Sequence, residues 1–285
     1  ANGNQPPEPL PFGRDNARVI NNPWGYEALA AVADLADTHA DVLLVGTGLT
    51  MVDAVLSLDA AGHRGRIVGL SRRGLIPRGH SNDMVPAPVE LADVPAGHVR
   101  TLWRWLRRRG AVVGWRSAVD ALRPHSHQLW QMLPEAELRR FARHARPWWD
   151  VHRHRIAPEV AQRLHDLIAE GRLEIVAGRI QSIDDDGDGL TVAYRRRGKP
   201  QSQQSRFACV INCTGRLGAI ARTTDPLLKQ LLDGGSIKPD HLGIALEVDE
   251  RSRAVGADRI WAMGPLTKGK YSEIIAVLDI SGETA

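Results

Sequence analysis

Cysteine is scarce in this chain: the 285 residues include only Cys209 and Cys213. Two thiols cannot form the disulfide framework of a small secreted domain, and the C-x-x-x-C spacing is not that of a dithiol redox pair. Both residues lie in an apolar stretch, where free cysteines are usually buried. We therefore expect two buried structural thiols and a cytoplasmic location.

Long apolar runs are also missing. No uninterrupted run approaches the ~18 residues that a membrane-spanning helix needs, so no membrane partner is expected. The first twenty residues lack the apolar core of a secretory signal. The sequence starts with Ala1 rather than methionine, from which we expect a piece of a longer protein.

Lysine is also rare, since arginine supplies all but five of the 37 basic residues. This skew is typical of a GC-rich bacterial genome, and a net charge of +4 spread over the chain is typical of a solvated surface. Residues 100–155 nevertheless hold thirteen arginines and four acidic residues. Arginines among tryptophans leave a nucleic-acid surface open as an alternative. No known nucleic-acid module matches the segment, so we expect no nucleic-acid partner.

The pattern of apolar residues predicts an α/β fold. Asp41–Gly46 forms a short apolar run typical of a strand buried in a parallel sheet. Residues 49–62 have apolar side chains at helical spacing and end at a glycine, and Arg66–Ser71 is the next strand. Strand, helix and strand within about thirty residues make one βαβ unit.

The remaining segments complete a nucleotide-binding arrangement. Residues 88–157 are predicted to form several helices inserted between strands, and another helix begins at Pro158. Leu173–Gly178 is predicted as a third buried strand, followed by a hairpin around an Asp/Gly turn. Phe207–Gly215 is predicted as the last strand.

A glycine turn follows the first buried strand. Gly46, Thr47, Gly48, Leu49 and Thr50 lie between strand and helix, where a dinucleotide fingerprint belongs. The first glycine permits a tight turn, the second lets the backbone approach a pyrophosphate, and the helix amides bind the negative charge. Met51 replaces the third glycine of G-x-G-x-x-G, which predicts a wider separation of helix and strand.

The end of the second strand indicates which dinucleotide is bound. An NAD site would have Asp or Glu here, to bind the free ribose hydroxyls. The strand instead ends in Ser71, Arg72 and Arg73, and arginine matches a phosphate with paired donors. The sequence thus predicts NADP in preference to NAD. An exposed basic turn without a ligand is the alternative.

Two other motifs give weaker signals. Asp184, Asp186 and Asp188 precede Gly189 like a calcium loop, but Arg195 stands where a bidentate glutamate is needed, so a hairpin turn is expected. The spacing of His152 and His154 does not suit a metal site, and no metal is predicted. These histidines belong either to an anion-binding cluster or to an ordinary helix end.

Taken together, five segments resemble bacterial FAD/NAD(P)-binding oxidoreductases of the flavin monooxygenase and glutathione reductase type. They are GTGLTMVD, GLSRRG, Trp149–Pro158, VINCTG and Ala262–Val277. The resemblance covers essentially the whole chain. In these flavoproteins an NAD(P) domain is inserted into an FAD domain.

The resemblance implies three parts of the chain. Residues 1–16 are an opening loop from the flavin domain, and Ala1-Asn2-Gly3 is similar to a turn that closes its first half. Residues 17–216 form a Rossmann-like, three-layer NAD(P)-binding domain with the helical insertion. Residues 217–285 are the C-terminal part of the FAD-binding domain. The family's first G-x-G-x-x-G, which binds the FAD diphosphate, is absent from this sequence. We therefore expect FAD in the full-length protein, and we expect this piece alone to bind FAD poorly or not at all and to be inactive.

The resemblance also implies flavin-facing residues and an activity. Gly215, Gly264, Pro265 and Leu266 would face the flavin. The full-length protein would be an NADPH-dependent flavin oxidoreductase, possibly of the monooxygenase type, acting on a small-molecule substrate that the sequence does not identify. A non-catalytic NADP sensor or scaffold is the alternative, and no residue stands out as catalytic. The sequence carries no signal for an oligomeric state.

Overall fold

The computed structural model describes residues 7–215 and 218–271. The resemblance at Ala1-Asn2-Gly3 and the last part of the resemblance at Ala262–Val277 lie outside the described residues. Strands in the described part are β1 (Val19–Ile20), β2 (Val42–Val45), β3 (Ile67–Ser71), β4 (Leu173–Asp185), β5 (Leu190–Arg196), β6 (Ser202–Phe207) and β7 (Cys209–Asn212). Helices there are α1 (Tyr26–Asp34), α2 (Leu49–Ala60), α3 (Val99–Val113), α4 (Trp115–Ala121), α5 (Ser126–Gln131), α6 (Glu135–Arg140), α7 (Arg146–Arg153), α8 (Pro158–Ala169), α9 (Pro226–Asp233) and α10 (Lys268–Tyr271).

The chain divides into two compact units. The sheet unit comprises the described parts of Pro6–Ser81 and Asp150–Arg216, and the helical unit comprises Asn82–Trp149 and the described part of Leu217–Ala285. The predicted helical insertion therefore groups with the C-terminal segment. The domain boundaries expected at residues 16 and 216 stay a prediction.

The sheet unit contains one seven-stranded sheet in the order β1-β7-β2-β3-β4-β5-β6. Strands β1, β7, β2, β3 and the first part of β4 are parallel, and β5 and β6 continue the sheet antiparallel. The predicted βαβ unit is confirmed as β2, α2 and β3. The α/β fold class is confirmed with it.

Alternation along β2 distributes side chains to the two faces of the sheet. Val42 and Leu44 pack into a cluster with residues of α1, α2 and α8. Leu43 and Val45 pack into a second cluster, with side chains of β5 and the end of β4. Because both faces are covered, this part of the unit has three layers: helices, parallel strands and an antiparallel meander.

The structure differs from the prediction at β4. The predicted strand Leu173–Gly178 does not end at Gly178, because β4 runs on to Asp185 with an irregularity between Ile180 and Ser182. Gly178 lies opposite Arg196, and a Cβ there would come within 2.8 Å of the Arg195 carbonyl oxygen. The glycine permits close strand approach instead of ending the strand.

The hairpin after β4 is confirmed, with Asp185 paired to Leu190. The predicted last strand is shorter, and β6 was not predicted, because its sequence SQQSRF has no apolar alternation. The helix at Pro158 is also confirmed as α8, which has proline in its first turn and ends before Gly171 at φ +73°.

The helical unit contains α3 to α6, the first part of α7, α9 and α10. Helix α3 starts at Val99, whose amide donates to the Glu137 carboxylate over 2.9 Å. Glu137 is buried and also binds Arg140, so α6 supplies the cap that α3 lacks in its own sequence. No helix in the described residues combines the length and apolar character that crossing a membrane requires.

Candidate dinucleotide-binding site

Gly46 ends β2 in a conformation that only glycine adopts readily, with φ at +108°. A Cβ on this residue would lie 2.3 Å from the Cys213 carbonyl oxygen. The Gly46 amide donates to Leu70, and the Cys213 amide donates to Val45. Gly46 therefore has a structural reason to be glycine, because the turn and the end of β7 touch here.

Gly48 has no such structural reason to be glycine. It is the N-cap of α2 at φ −86°, which other residues also adopt, and no atom lies within 4 Å of a Cβ placed there. The residue is exposed and no side chain caps the helix. The first amides of α2, including those of Leu49 and Thr50, have no partner within the helix. This uncapped end of a twelve-residue helix can bind an anion.

Met51 takes the place of the third fingerprint glycine and is fully buried. Its side chain lies over Gly69 of β3, where a Cβ would come within 3.8 Å of the Met51 Cγ and 3.1 Å of the Ile175 Cδ1. The tight neighbour of Gly69 is Ile175, whereas the distance to Met51 is an ordinary van der Waals contact. The close approach at Gly69 was missed, although a glycine inside an apolar strand is a recognised signal of it.

The predicted phosphate residues lie at the same edge of the sheet. Val45 of β2 pairs with Leu70 of β3, so Gly46 and Ser71 follow side by side at the carboxyl ends of the two parallel strands. Arg72 is exposed and Arg73 is half-buried. The structure thus brings the glycine turn and the two arginines to one edge, where doubly wound folds bind their ligands.

Two hydroxyl groups connect the turn after β2 with the end of β3 at this edge. The Thr47 hydroxyl donates to the Leu75 carbonyl oxygen over 2.5 Å and lies 2.8 Å from the Ser71 hydroxyl. Because the Thr47 proton is used on Leu75, Ser71 is the donor between the two hydroxyls. Ser71 also accepts from the Gly74 amide at 3.0 Å. Its only proton is therefore engaged, and Arg72 and Arg73 supply positive charge beside it.

The four predicted flavin-facing residues are divided between the units. In the sheet unit, Gly215 has φ +89°, and no other described residue has an atom within 4 Å of a Cβ placed there. In the helical unit, Gly264 is buried at φ +69° and accepts from the Thr267 hydroxyl at 2.8 Å. Pro265 and Leu266 continue this short turn, and Leu266 packs against an apolar cluster.

The weaker sequence motifs have structural explanations. Asp186 is part of the β4–β5 turn, accepts from the Gly189 amide and pairs with Arg206, which confirms the predicted hairpin. Cys209 and Cys213 are buried as predicted, and burial raises the pKa of each thiol to about 12. Neither thiol is a nucleophile at neutral pH.

His152 lies in α7, and His154 follows it, where its amide bonds to the Asp150 carbonyl. Both remain candidates for the two roles proposed from the sequence. Among residues 7–215 and 218–271, no three potential metal ligands come together.

Comparison with known proteins finds similar folds among solved structures. No family model matches the sequence, and no curated protein matches it either. Solved structures do match: L-lysine 6-monooxygenase from Pseudomonas syringae is 16% identical, with a TM-score of 0.63 over 99% of this chain and 59% of that one. Ornithine N-hydroxylase from Kutzneria sp. 744, described with reduced FAD, NADP+ and L-ornithine, is 14% identical, with a TM-score of 0.56 over 99% and 60%.

A disulfide-reducing enzyme shares the fold. Thioredoxin reductase from T. acidophilum is 11% identical, with a TM-score of 0.50 over 99% of this chain and 60% of that chain. The chain thus spans about three fifths of the solved structures that it matches. Its fold is the Rossmann-like fold of FAD- and NAD(P)-binding oxidoreductases, as the sequence resemblance implied.

Proposed function

We propose that this chain is the NADPH-binding part of a flavin-dependent oxidoreductase and carries part of its flavin domain. The observation that supports the proposal most strongly is the uncapped start of α2 beside two arginines. The Gly48 N-cap leaves the helix amides open, and the register of β2 with β3 brings Arg72 and Arg73 to the same edge. A dinucleotide with a 2′-phosphate has negative charge at both places.

The residues present fit NADPH. The pyrophosphate would bind the amides of Gly48, Leu49 and Thr50, while Arg72 and Arg73 would bind the 2′-phosphate. Thr47 and Ser71 would hold the two loops in register through the hydroxyl pair. No carboxylate follows β3 in the sequence SRRG, so the ribose partner of an NAD site is missing.

The residues present fit only part of a flavin site. Gly215 has open space beside it among the described residues. Gly264, Pro265 and Leu266 stay proposed flavin contacts on the resemblance alone. This sequence has no complete G-x-G-x-x-G turn for the FAD diphosphate. In the whole protein, bound NADPH would supply a hydride and bound FAD would accept it. The names of two solved structures, one a monooxygenase and one an N-hydroxylase, support a monooxygenase type for that protein.

Calorimetry with NADPH and NADH tests the proposal. We expect NADPH to bind more tightly, and Arg72→Ala to lower NADPH affinity about tenfold or more while changing NADH affinity little, because a charged hydrogen bond is lost. Arg64→Ala is the matched control, since Arg64 is exposed and elsewhere in the sheet unit. If neither nucleotide binds, the site assignment is wrong. Equal affinity for both would contradict the 2′-phosphate preference alone.

The flavin part of the proposal needs the whole protein. The visible spectrum of that protein, purified and supplied with FAD, should show bound flavin, and NADPH should bleach it. If the whole protein binds NADPH but stays colourless, the NADP sensor is the better description.

A further inference from the structure

The helical unit contains a partly open apolar cavity of about 60 Å³. Its wall includes Leu102 and Trp103 of α3, Leu129 and Trp130 of α5, and Trp149 of α7. We call it the tryptophan cavity. Trp103 is only half-buried, so a ligand can enter past it. None of the residues assigned to the dinucleotide site lines this cavity.

Water is a poor occupant of the tryptophan cavity. Ser126 contributes the one hydroxyl of the wall, and that hydroxyl already donates to the Leu122 carbonyl at 3.1 Å. The Trp130 indole NH is also engaged, since it donates to the Gly269 carbonyl at 2.8 Å. The other polar side-chain groups of the wall are the indole NH groups of Trp103 and Trp149. A buried water normally needs two to four polar partners, so this lining suits a hydrocarbon group better than water.

Cationic side chains border the cavity on α3. Arg100 is three residues before Trp103 and Arg107 is four residues after it, so both lie beside Trp103 on the helix surface. Both are exposed, and neither forms an ion pair with a carboxylate of the described residues. Arg109 differs, because its guanidinium donates to the carbonyls of Ala87 and Pro88. Arg104 is exposed as well, but it lies about 100° around the helix from Trp103, against about 60° for Arg100 and about 40° for Arg107. Arg100 and Arg107 are therefore the arginines placed for an anion beside Trp103.

We propose that the helical unit binds a small linear aliphatic carboxylate. The tail would fill the tryptophan cavity, and the carboxylate would bind Arg100 and Arg107, since guanidinium groups pair with carboxylates through two parallel hydrogen bonds. Since about 10–15 Å³ of this volume holds one water, the cavity of about 60 Å³ takes about four to six atoms of that size. Arg100 lies about 4.5 Å before Trp103 along the helix axis and Arg107 about 6 Å after it, so one carboxylate binds both where their long side chains converge beside Trp103. This proposal does not depend on the dinucleotide site.

A series of carboxylates tests the tail. We would titrate the full chain with butanoate, hexanoate and octanoate by calorimetry. Affinity should rise about fourfold per methylene up to hexanoate and then level off, because the cavity is full. Hexanol, which has no charge, should bind roughly tenfold more weakly than hexanoate, given about a fewfold per exposed ion pair. Absence of hexanoate binding, or equal affinity for hexanoate and hexanol, would overturn the proposal.

Substitutions locate the ligand. Leu102→Phe places extra carbon in the cavity and should abolish hexanoate binding, whereas Leu227→Phe, at an exposed position of α9, should not. If Leu102→Phe does not fold, the double variant with Arg100→Gln and Arg107→Gln tests the proposal instead, since both positions are exposed. That double variant should bind hexanoate no better than hexanol. Arg108→Gln, farther around α3, should behave like the wild type. Unchanged hexanoate affinity in the double variant would contradict the proposal.

Discussion

The hydroxyl oxygens of Thr47 and Ser71 lie 2.8 Å apart, across the carboxyl ends of β2 and β3. Thr47 belongs to the glycine turn, and Ser71 immediately precedes the two arginines. Thr47 is buried and also bonds to the Leu75 carbonyl. The loop that would bind the pyrophosphate and the loop that would bind the 2′-phosphate are therefore held together by this hydroxyl pair.

Removing the Thr47 hydroxyl should disturb both loops. Thr47→Val leaves the Ser71 hydroxyl and the Leu75 carbonyl without their partner, which should lower the free energy of unfolding by about 1–3 kcal/mol. NADPH affinity should fall as well, because Arg72 is no longer held at the edge. Thr47→Ser keeps the oxygen and should retain most of the affinity. Denaturant unfolding and calorimetry measure the two effects, and equal behaviour of both variants would refute this role for the hydroxyl.

The two glycines of the turn should respond differently to alanine. Gly46→Ala meets the Cys213 carbonyl and a positive φ, so we expect a loss of more than about 2 kcal/mol in stability. Gly48→Ala meets no atom within 4 Å and should change stability by no more than about 1 kcal/mol. Thermal unfolding of both variants is the check. Comparable losses would show that Gly48 is also structural.

Asp59 joins α2 to α8 and to the start of β4. It accepts from Arg163 through both oxygens, at 2.7 Å each, and from Arg172 at 3.0 Å. Asp59→Asn should cost about 1–3 kcal/mol at neutral pH. Asp37→Asn is the control, because Asp37 is 78% exposed and 3.9 Å from Arg64, and it should cost less than about 1 kcal/mol.

The same carboxylate predicts an acid-dependent loss. The hydrogen bond from Arg163 holds the pKa of Asp59 below its usual range, with a further contribution from Arg172. Its stabilisation is present above the ordinary pKa of about 3.9 and is lost as pH falls through the lowered value. The difference in stability between wild type and Asp59→Asn should therefore shrink at strongly acidic pH. A difference independent of pH would contradict the assignment.

His63 predicts a second pH dependence, in a milder range. The residue is fully buried, its Nδ1 lies 3.2 Å from the Leu35 carbonyl oxygen, and its Nε2 finds no hydrogen-bond partner among the described residues. Burial lowers the pKa of His63. The neutral form is favoured in the folded protein, so stability should fall as pH drops below about 6.5, where the unfolded chain takes up a proton.

His63→Gln tests this dependence. Its melting temperature should fall less than that of the wild type between pH 7.5 and 5.5, values on either side of about 6.5. His127→Gln is the corresponding variant in the helical unit. Burial lowers the pKa of His127, and the charge of Lys270 lowers it further, so this variant tests the same effect there. A wild-type melting temperature that does not change over this range would contradict the prediction.

The sequence predicted the features that depend on local patterns. The apolar runs of β2 and β3 and the helical spacing of α2 are strong signals, and the Asp/Gly turn after β4 is another. Gly178 misled the strand prediction, because a glycine at a close strand contact looks like a strand end. The polar edge strand β6 gave no apolar pattern to recognise.

The sequence could not predict contacts with backbone carbonyl groups of residues that are distant in the chain. Ser71 was predicted as a phosphate ligand because a hydroxyl beside arginines fits that role. The structure shows its proton directed to Thr47, an arrangement that depends on the carbonyl of Leu75. The sequence assigned the tight turn to Gly46 and the approach of a pyrophosphate to Gly48. The positive φ of Gly46 and its contact with the Cys213 carbonyl show why only this glycine has a structural reason to be glycine.

The central claim is that a dinucleotide pyrophosphate binds at the start of α2, and Gly48→Asp tests it most directly. Aspartate is a good N-cap and should raise the stability by a few tenths of a kcal/mol, while its charge occupies the place of the phosphate. The measurement is NADPH calorimetry on wild type and Gly48→Asp, with thermal unfolding alongside. The account predicts that the variant is at least as stable as the wild type and loses NADPH binding. A stable variant that binds NADPH as tightly as the wild type would contradict it.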